Sequence, residues 1–442
     1  MKRFLRAVVL QTAALIVAVA GAHAPARAAL VTQTTYNGAK IVEQRDPSSS
    51  LIGVQLFVPA GLDRQTAAQS GIAALVAESI AGTPVGRDRL PLRDALQGEG
   101  GAVSYSVDGR WIRFYVEGIK ANFGSRLLPL FEAAISHPAF DETSLQRARR
   151  ELGHKIAENQ SVPLTVALEM LNAAFFTASE AGLPPFGLPA TLQSLSSQDV
   201  QTFFSTYYRR SGAIVSAAGD LDAARSDDFT KIVDTLPAGA TRPVPVTLPK
   251  LRGAQRRLVA RRDIAVPWLV AQFPAPSLRS RDFGAMLVLT TFLERTASEM
   301  AGNPTITTLP FSDRPAGAMY NFDQQPANVV LYVNGGFGDP TRPFSTALSV
   351  VQIFAHSKLS GDIGTMKSIA IGTFVDAAAT LEDRSWFAGV FAEQDASPDF
   401  VARGLDAIKR VRAADLQRVA RVYLGNPNVA LVLPRAGSDT SS

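Results

Sequence analysis

The chain has 442 residues, 46% hydrophobic and 19% charged, which suits a globular protein of two or more domains and not a disordered chain. It contains no cysteine, so its fold needs no disulfide and it has no thiol nucleophile. The formal charge of +5 drops to +1 once the four basic residues of 1–28 are set aside, so the sequence pI of about 9.5 is no argument for a nucleic-acid partner.

The start of the chain has the grammar of a secretory signal. Lys2, Arg3 and Arg6 precede an apolar run from Ala7 to Ala20, and Ala26-Arg27-Ala28 offers a small-x-small cleavage site before Ala29. The run is short for a membrane span and is interrupted by Gln11-Thr12. Export to the periplasm as a soluble protein, with no membrane attachment after cleavage, is the expectation. An uncleaved segment would serve as an N-terminal anchor instead.

After the signal, Asn37 to Val42, a turn at Asp46-Pro47-Ser48 and Val54 to Gly61 read as a strand pair. From Ser70 to Ile80 the apolar residues Ile72, Leu75, Val76 and Ile80 recur at helical spacing, with Ser70 and Gly71 as a start. Positions 74 and 78 share one face of that helix, where a zinc hydrolase would place two ligands, but they are Ala74 and Glu78. Leu92 to Gly98 reads as a helix. Ala102 to Val107 and Trp111 to Glu117 read as strands across the turn Asp108-Gly109. Helices follow over Ser125 to Ile135, Glu142 to Asn159 and Pro163 to Ala174. A loop over Ala181 to Gly187, a helix over Gln198 to Tyr208 and a strand over Ala213 to Ala218 close the first half. The mixing of strands and helices without strict alternation predicts an α+β fold.

Four prolines between Leu236 and Pro249 mark an extended linker, and beyond it the plan repeats. Asp199-Val200-Gln201 and Tyr207 match Asp415-Leu416-Gln417 and Tyr423 at a constant offset, and each Tyr precedes a turn and an apolar strand. Val54 to Ala60 has a counterpart in Val270 to Ala275, each ending Pro-Ala. The expected organisation is a signal peptide over 1–28, one domain over 29–235, a linker over 236–255, a second copy over 256–436 and a tail over 437–442.

These segments resemble the insulinase/pitrilysin family of zinc peptidases, the inverzincins, which includes the subunits of the mitochondrial processing peptidase. In active members the helix reads Gly-Ile-Ala-His-x-x-Glu-His. The resemblance puts the first His on Ala74, the general base on Ala77 and the second His on Glu78. The third ligand, a Glu on a later helix, falls on Lys155, with Pro163 following as in the family. A catalytic zinc needs about three protein donors and an open position, and it works by lowering the pKa of bound water from about 15.7 to about 7. With two alanines, one acid and an ammonium in those places, neither the metal nor its base is expected, and Glu78 and Lys155 are expected to pair.

The resemblance further implies two homologous domains, each a mixed or antiparallel sheet with helices packed on it, forming a half-clamshell that closes with a second one around an extended peptide. It also implies an Arg and a Tyr that hold substrate backbone. Arg314 and Tyr320, flanking Gly317, are the candidates, although Arg314 stands six residues before the Tyr where the family has seven, and Asp313 occupies the strict register. His137, His154 and His356 stand in separate contexts, with His137 placed to cap a helix end. The glycine-rich Asn334 to Asp339 lacks a Lys-Ser/Thr ending and reads as a turn into a helix over Arg342 to His356. No nucleophile elbow or dinucleotide fingerprint is present.

The expectation is a catalytically inactive subunit without a cofactor, partnered by a zinc-bearing homologue or by itself, and contributing chamber wall and contacts to extended peptides. A homodimeric peptide-binding or structural protein without a peptidase partner is the alternative.

Overall fold

A computed structural model describes residues 30–177, 179–222, 226–240, 256–300, 315–334, 349, 355–356 and 363–435. The expected signal, the linker from 241 to 255, the glycine-rich stretch 335–339, most of the helix expected over 342–356 and the tail lie outside them.

The first sheet contains β1 (Leu30–Tyr36), β2 (Ala39–Arg45), β3 (Leu51–Val58), β4 (Gly101–Val107), β5 (Ile112–Ile119) and β6 (Ile214–Gly219), in the order β1-β2-β6-β3-β5-β4. The second contains β7 (Arg257–Arg262), β8 (Trp268–Pro274), β9 (Ala316–Asn321), β10 (Asn328–Asn334) and β11 (Asn428–Pro434), in the order β9-β10-β8-β11-β7. Read from its other end, the second sheet repeats the first without β1. The parallel pairing of β2 with β6 recurs as β7 with β11, and the antiparallel pairs β3 with β6, β3 with β5 and β4 with β5 recur as β8 with β11, β8 with β10 and β9 with β10. The chain is therefore two copies of one α+β plan, as the offset between Tyr207 and Tyr423 anticipates.

One expectation is corrected. The strands expected as an opening pair exist as β2 and β3, but β6 lies between them. Every residue of β6 is buried, and β3 is buried at all but its first position, so both belong in the sheet interior. The partner of β2 on its outer side is β1. Asn37 and Gly38, with φ of 49° and 82°, form the tight turn between those two strands and do not open a strand.

The helices that matter below are α1 (Ile72–Ala81), α2 (Leu92–Gly98), α3 (Leu128–Ser136), α4 (Glu142–Ser161), α5 (Pro163–Phe175), α6 (Ser197–Tyr207), α7 (Ser226–Thr235), α8 (Phe283–Met300), α9 (Gly364–Asp376) and α10 (Leu381–Glu393). One face of the first sheet, carrying Ile52, Val54, Leu56, Phe114, Val116 and Val215, packs on helices of its own half, with Leu75, Phe131 and Phe203 in one core. One face of the second sheet packs likewise on α8, through Leu269, Phe273 and Leu331 against Met286 and Leu289.

The two remaining sheet faces are covered by exchange. From the first half, α5 lays Leu164, Ala167 and Leu171 on Val270, Val330, Tyr332, Ala430 and Val432 of the second sheet. From the second half, α10 lays Phe387 and Phe391 toward Val42, Phe57 and Ile214 of the first sheet. The alternation along β8 and β10 sends odd and even residues to different cores, so each strand is apolar on both sides. Polar contacts fix the same seams: Gln272 Nε2 donates to Asn172 Oδ1 at 2.9 Å, Gln55 Nε2 to the Glu382 carbonyl at 2.9 Å, and Arg384 lies 2.6 Å from Asp46.

The α10 contact is close. A Cβ added to Gly389 would sit 2.3 Å from the Phe57 ring, which is itself 1% exposed. Gly389→Ala is expected to cost about 1–3 kcal/mol by overpacking, read from the urea midpoint, and Phe57→Leu in the same chain should remove most of that cost.

Two buried acids, Asp63 in the first half and Glu393 at the junction, are in an unusual state. Burial pushes both Asp63 and Glu393 up to about 7, while Arg110 opposes the shift in each. The Arg110 guanidinium lies 3.6 Å from Glu393 and donates to Gln325 Oε1 at 3.2 Å, and Gln325 Nε2 in turn donates to Glu393 at 2.9 Å. Asp108 raises both acids further, with Glu180 acting on Asp63 and Asp323 on Glu393. A carboxyl whose folded pKa exceeds its unfolded value of about 4 stabilises the fold when protonated. That contribution is complete below about pH 4 and is lost as the pH rises through about 7. Aspartates held low, such as Asp46, Asp141 and Asp199, lose their contribution only below that window. The melting temperature is therefore expected to be higher at about pH 5.5 than at about pH 8, with Glu393→Gln shrinking the difference.

Candidate functional site

All ten residues of α1 are buried, so it is a core helix and no surface amphipath. Its N-terminal amides are satisfied locally: Gln65 Oε1 accepts from the N–H groups of Gly71 at 3.2 Å and Ala73 at 3.4 Å. Gly71 has φ +99°, and Gly187, with φ +78°, comes so near that a Cβ on it would meet the Gly71 Cα at 2.4 Å. Thr191 Oγ1 donates to the Ser70 carbonyl at 2.6 Å, fixing the segment around Gly187 over the start of α1.

Ala74 and Ala77 are fully buried in the first-half core and present only methyl groups. Glu78, one turn after Ala74, is 2% exposed, and three donors converge on it. Lys155, from α4, places Nζ 2.9 Å from Glu78 Oε2, which realises the expected pair. Tyr105, from β4, donates its hydroxyl to the same oxygen at 2.7 Å, and Arg93, from α2, bonds Oε1. Lys155 Nζ also donates to the Tyr105 oxygen at 2.9 Å and stands 4.1 Å from the centre of the Tyr105 ring. The Tyr105 hydroxyl is pushed well above its ordinary range, first by burial and then by the Glu78 charge, so it remains a donor.

Comparison with known proteins finds a family match over part of the chain. The family described as Peptidase M16 inactive domain matches residues 194–310. The fold is M16-like. A peptidase M16 inactive domain from Pseudomonas fluorescens aligns with a TM-score of 0.74 at 14% identity, covering 91% of this chain and 98% of that one. A protease from Helicobacter pylori aligns with a TM-score of 0.76 at 16% identity, covering 92% of this chain and 100% of that one. The probable mitochondrial-processing peptidase subunit beta of Arabidopsis thaliana is 20% identical over 267 residues, covering 59% of this chain and 49% of that protein. The chain thus spans about half the length of the curated relative it matches.

This chain does not offer the donor set that a catalytic zinc requires. Two of the four corresponding side chains are methyl groups, and the two others form an ion pair with a second cation, Arg93, beside it. A dication placed there would meet one carboxylate already shared among three donors, and two positive charges. Among the described residues, no three His, Cys, Asp or Glu side chains gather where they could hold a metal. Chemically the cluster has neither a base free to take a proton from water nor a nucleophile, which fits a non-catalytic peptidase-like protein.

Other expected residues stand apart from this cluster. His137 is at the C-terminal end of α3, and His154 and His356 are exposed. Arg314 lies outside the described residues. Tyr320, on β9, donates its hydroxyl to the Pro276 carbonyl and packs its ring against Phe283 and Phe322. Arg93 and Tyr105 were not singled out from the sequence. Both lie in elements read correctly, and their link to Glu78 arises from tertiary packing that local periodicity does not encode.

Glu78 is the deeply buried charge, whereas the Lys155 and Arg93 side chains are 34% and 39% exposed. Arg93→Met with Lys155→Met should cost about 3–5 kcal/mol in a denaturant titration, because a buried carboxylate is left without a cation. Adding Glu78→Gln to that pair should recover most of the loss.

Proposed function

We propose that this chain is the catalytically silent subunit of an exported insulinase-like zinc peptidase. It pairs in the periplasm with a zinc-bearing homologue and contributes a chamber wall and contacts to extended peptides, while the partner carries out hydrolysis. The observation that carries this reading is a family fold kept across nearly the whole described chain around a site whose ligand positions are Ala74, Ala77, Glu78 and Lys155. The shell persists where the chemistry does not, as expected of a subunit whose surfaces still serve an assembly.

The edge of the first sheet supports the peptide role. Strand β4 is the last in its sheet among the described residues, and its exposure alternates from residue to residue. An extended peptide can add to such an edge by main-chain hydrogen bonds. Arg314 and Tyr320 enter the proposal as contacts reaching a partner's site, which would require Tyr320 to exchange the Pro276 carbonyl for one of the substrate.

Purification of the chain from periplasmic extract of its native host tests the reading. The expected result is a mature chain beginning at Ala29, associated with a second chain bearing His-x-x-Glu-His. Zinc and cleavage of an unfolded peptide should be found in the complex, and under about one zinc per ten chains in this protein alone. Self-association without such a partner would instead support a homodimeric peptide-binding or structural protein, and a lone chain with zinc and activity would reject both.

A further inference from the structure

The cluster around Glu78 is more than a filled vacancy, because its charges do not balance. One carboxylate faces two cations, and among the described residues neither Lys155 nor Arg93 has a second carboxylate within ion-pair distance. The arrangement is also polarised in depth. Glu78 is the innermost member at 2% exposure, while the Lys155 and Arg93 side chains stand 34% and 39% exposed in front of it. An approaching group meets the positive side first.

Among the described residues both cations retain donors. The Lys155 ammonium has three, of which Glu78 and Tyr105 take two. The Arg93 guanidinium has five in a fixed fork, of which Glu78 takes one. The Tyr105 ring backs the ammonium, and Phe186 stands 5.7 Å from it on another side, so part of its hydration is already replaced by aromatic surface. Tyr105 belongs to the edge strand β4, which brings the cluster to the border where an extended peptide would lie.

We propose that Lys155 and Arg93 form an anion site that accepts a carboxylate of an extended peptide, supplied by its C-terminus or by an acidic side chain. The site takes from the preceding reading only the form of its ligand and does not need a peptidase partner. Bidentate donation from the Arg93 fork and the free donor of Lys155 hold the carboxylate, and Glu78 behind them fixes both side chains while limiting the net charge to one. Lys155 and Arg93 act here as binding residues, and Glu78 as the internal anion that competes with the ligand for them.

The test is calorimetric titration of the purified chain with one N-acetylated Ser/Thr/Val hexapeptide made as the free acid, as the C-terminal amide, and as the amide with a central Glu. The free acid is expected to bind about tenfold more tightly than the plain amide, the size of one charge-assisted hydrogen bond. If the Glu-containing amide matches the acid, side-chain carboxylates are accepted; if it matches the plain amide, the site reads C-termini. Lys155→Met and Arg93→Gln should each bring the free acid to the level of the amide. Glu78→Gln should tighten the free acid several-fold, because the competing charge is removed while a hydrogen-bond acceptor for Tyr105 remains, an effect a purely structural clamp would not give. Equal binding of acid and amide, no binding of any form, a preference that survives both cation substitutions, or weaker binding by Glu78→Gln overturns the proposal. None of these outcomes bears on the partner reading, which co-purification decides separately.

Discussion

The fold depends on a need that neither half meets alone: each sheet is apolar on both faces and has helices of its own for only one. Strands such as β8 and β10 expose no polar side to solvent, and burying apolar surface is the dominant favourable term in folding. The second face of each sheet is closed by a helix lent from the other half, α5 in one direction and α10 in the other. These helices occupy corresponding places in the two copies, so the exchange follows the internal repeat. Gly389 shows how close the seam runs, since the absence of one side chain lets α10 settle onto the Phe57 ring.

That scaffold explains how the polar cluster can exist. Removing a carboxylate from water is costly unless charge and hydrogen bonds compensate, and Glu78 receives both from three separate elements, α2, β4 and α4. Of the elements around Glu78, α1 and α4 are the two on which the resemblance places the metal ligands of an active member. Here the framework holds an organic ion network in which Lys155 stands where the resemblance places an acidic ligand. The cluster carries a net positive charge fixed by side chains.

Much of the architecture was legible from residues alone, because a helix such as α1 announces itself by apolar spacing and by a start signal, here Gly71, which stands at its N-cap. The repeat was legible through Asp199 and Asp415, whose carboxylates accept from the N-cap amides of Ser196 and Arg412 at the starts of corresponding helices. Strand pairing was not. The pattern of β2 and β3 says that both are buried but not that β6, more than a hundred residues later, comes between them. The partner sheets of α5 and α10 were hidden for the same reason, since an apolar face has no address. At the site, the resemblance points to Ala74, Ala77 and Glu78 by register along α1 and to Lys155 by its offset from them on α4. Arg93 and Tyr105 were not legible, because only folding brings them to Glu78.

The lacing of α5 and α10 sets a limit on motion. Two bodies that each hold a piece of the other cannot swing apart without stripping a cover from a sheet, which would bring main chain and apolar side chains into water together. The interlocked halves therefore travel as one block. In any assembly that must open to admit a peptide, the hinge lies along the outer border of this chain and not between its two copies.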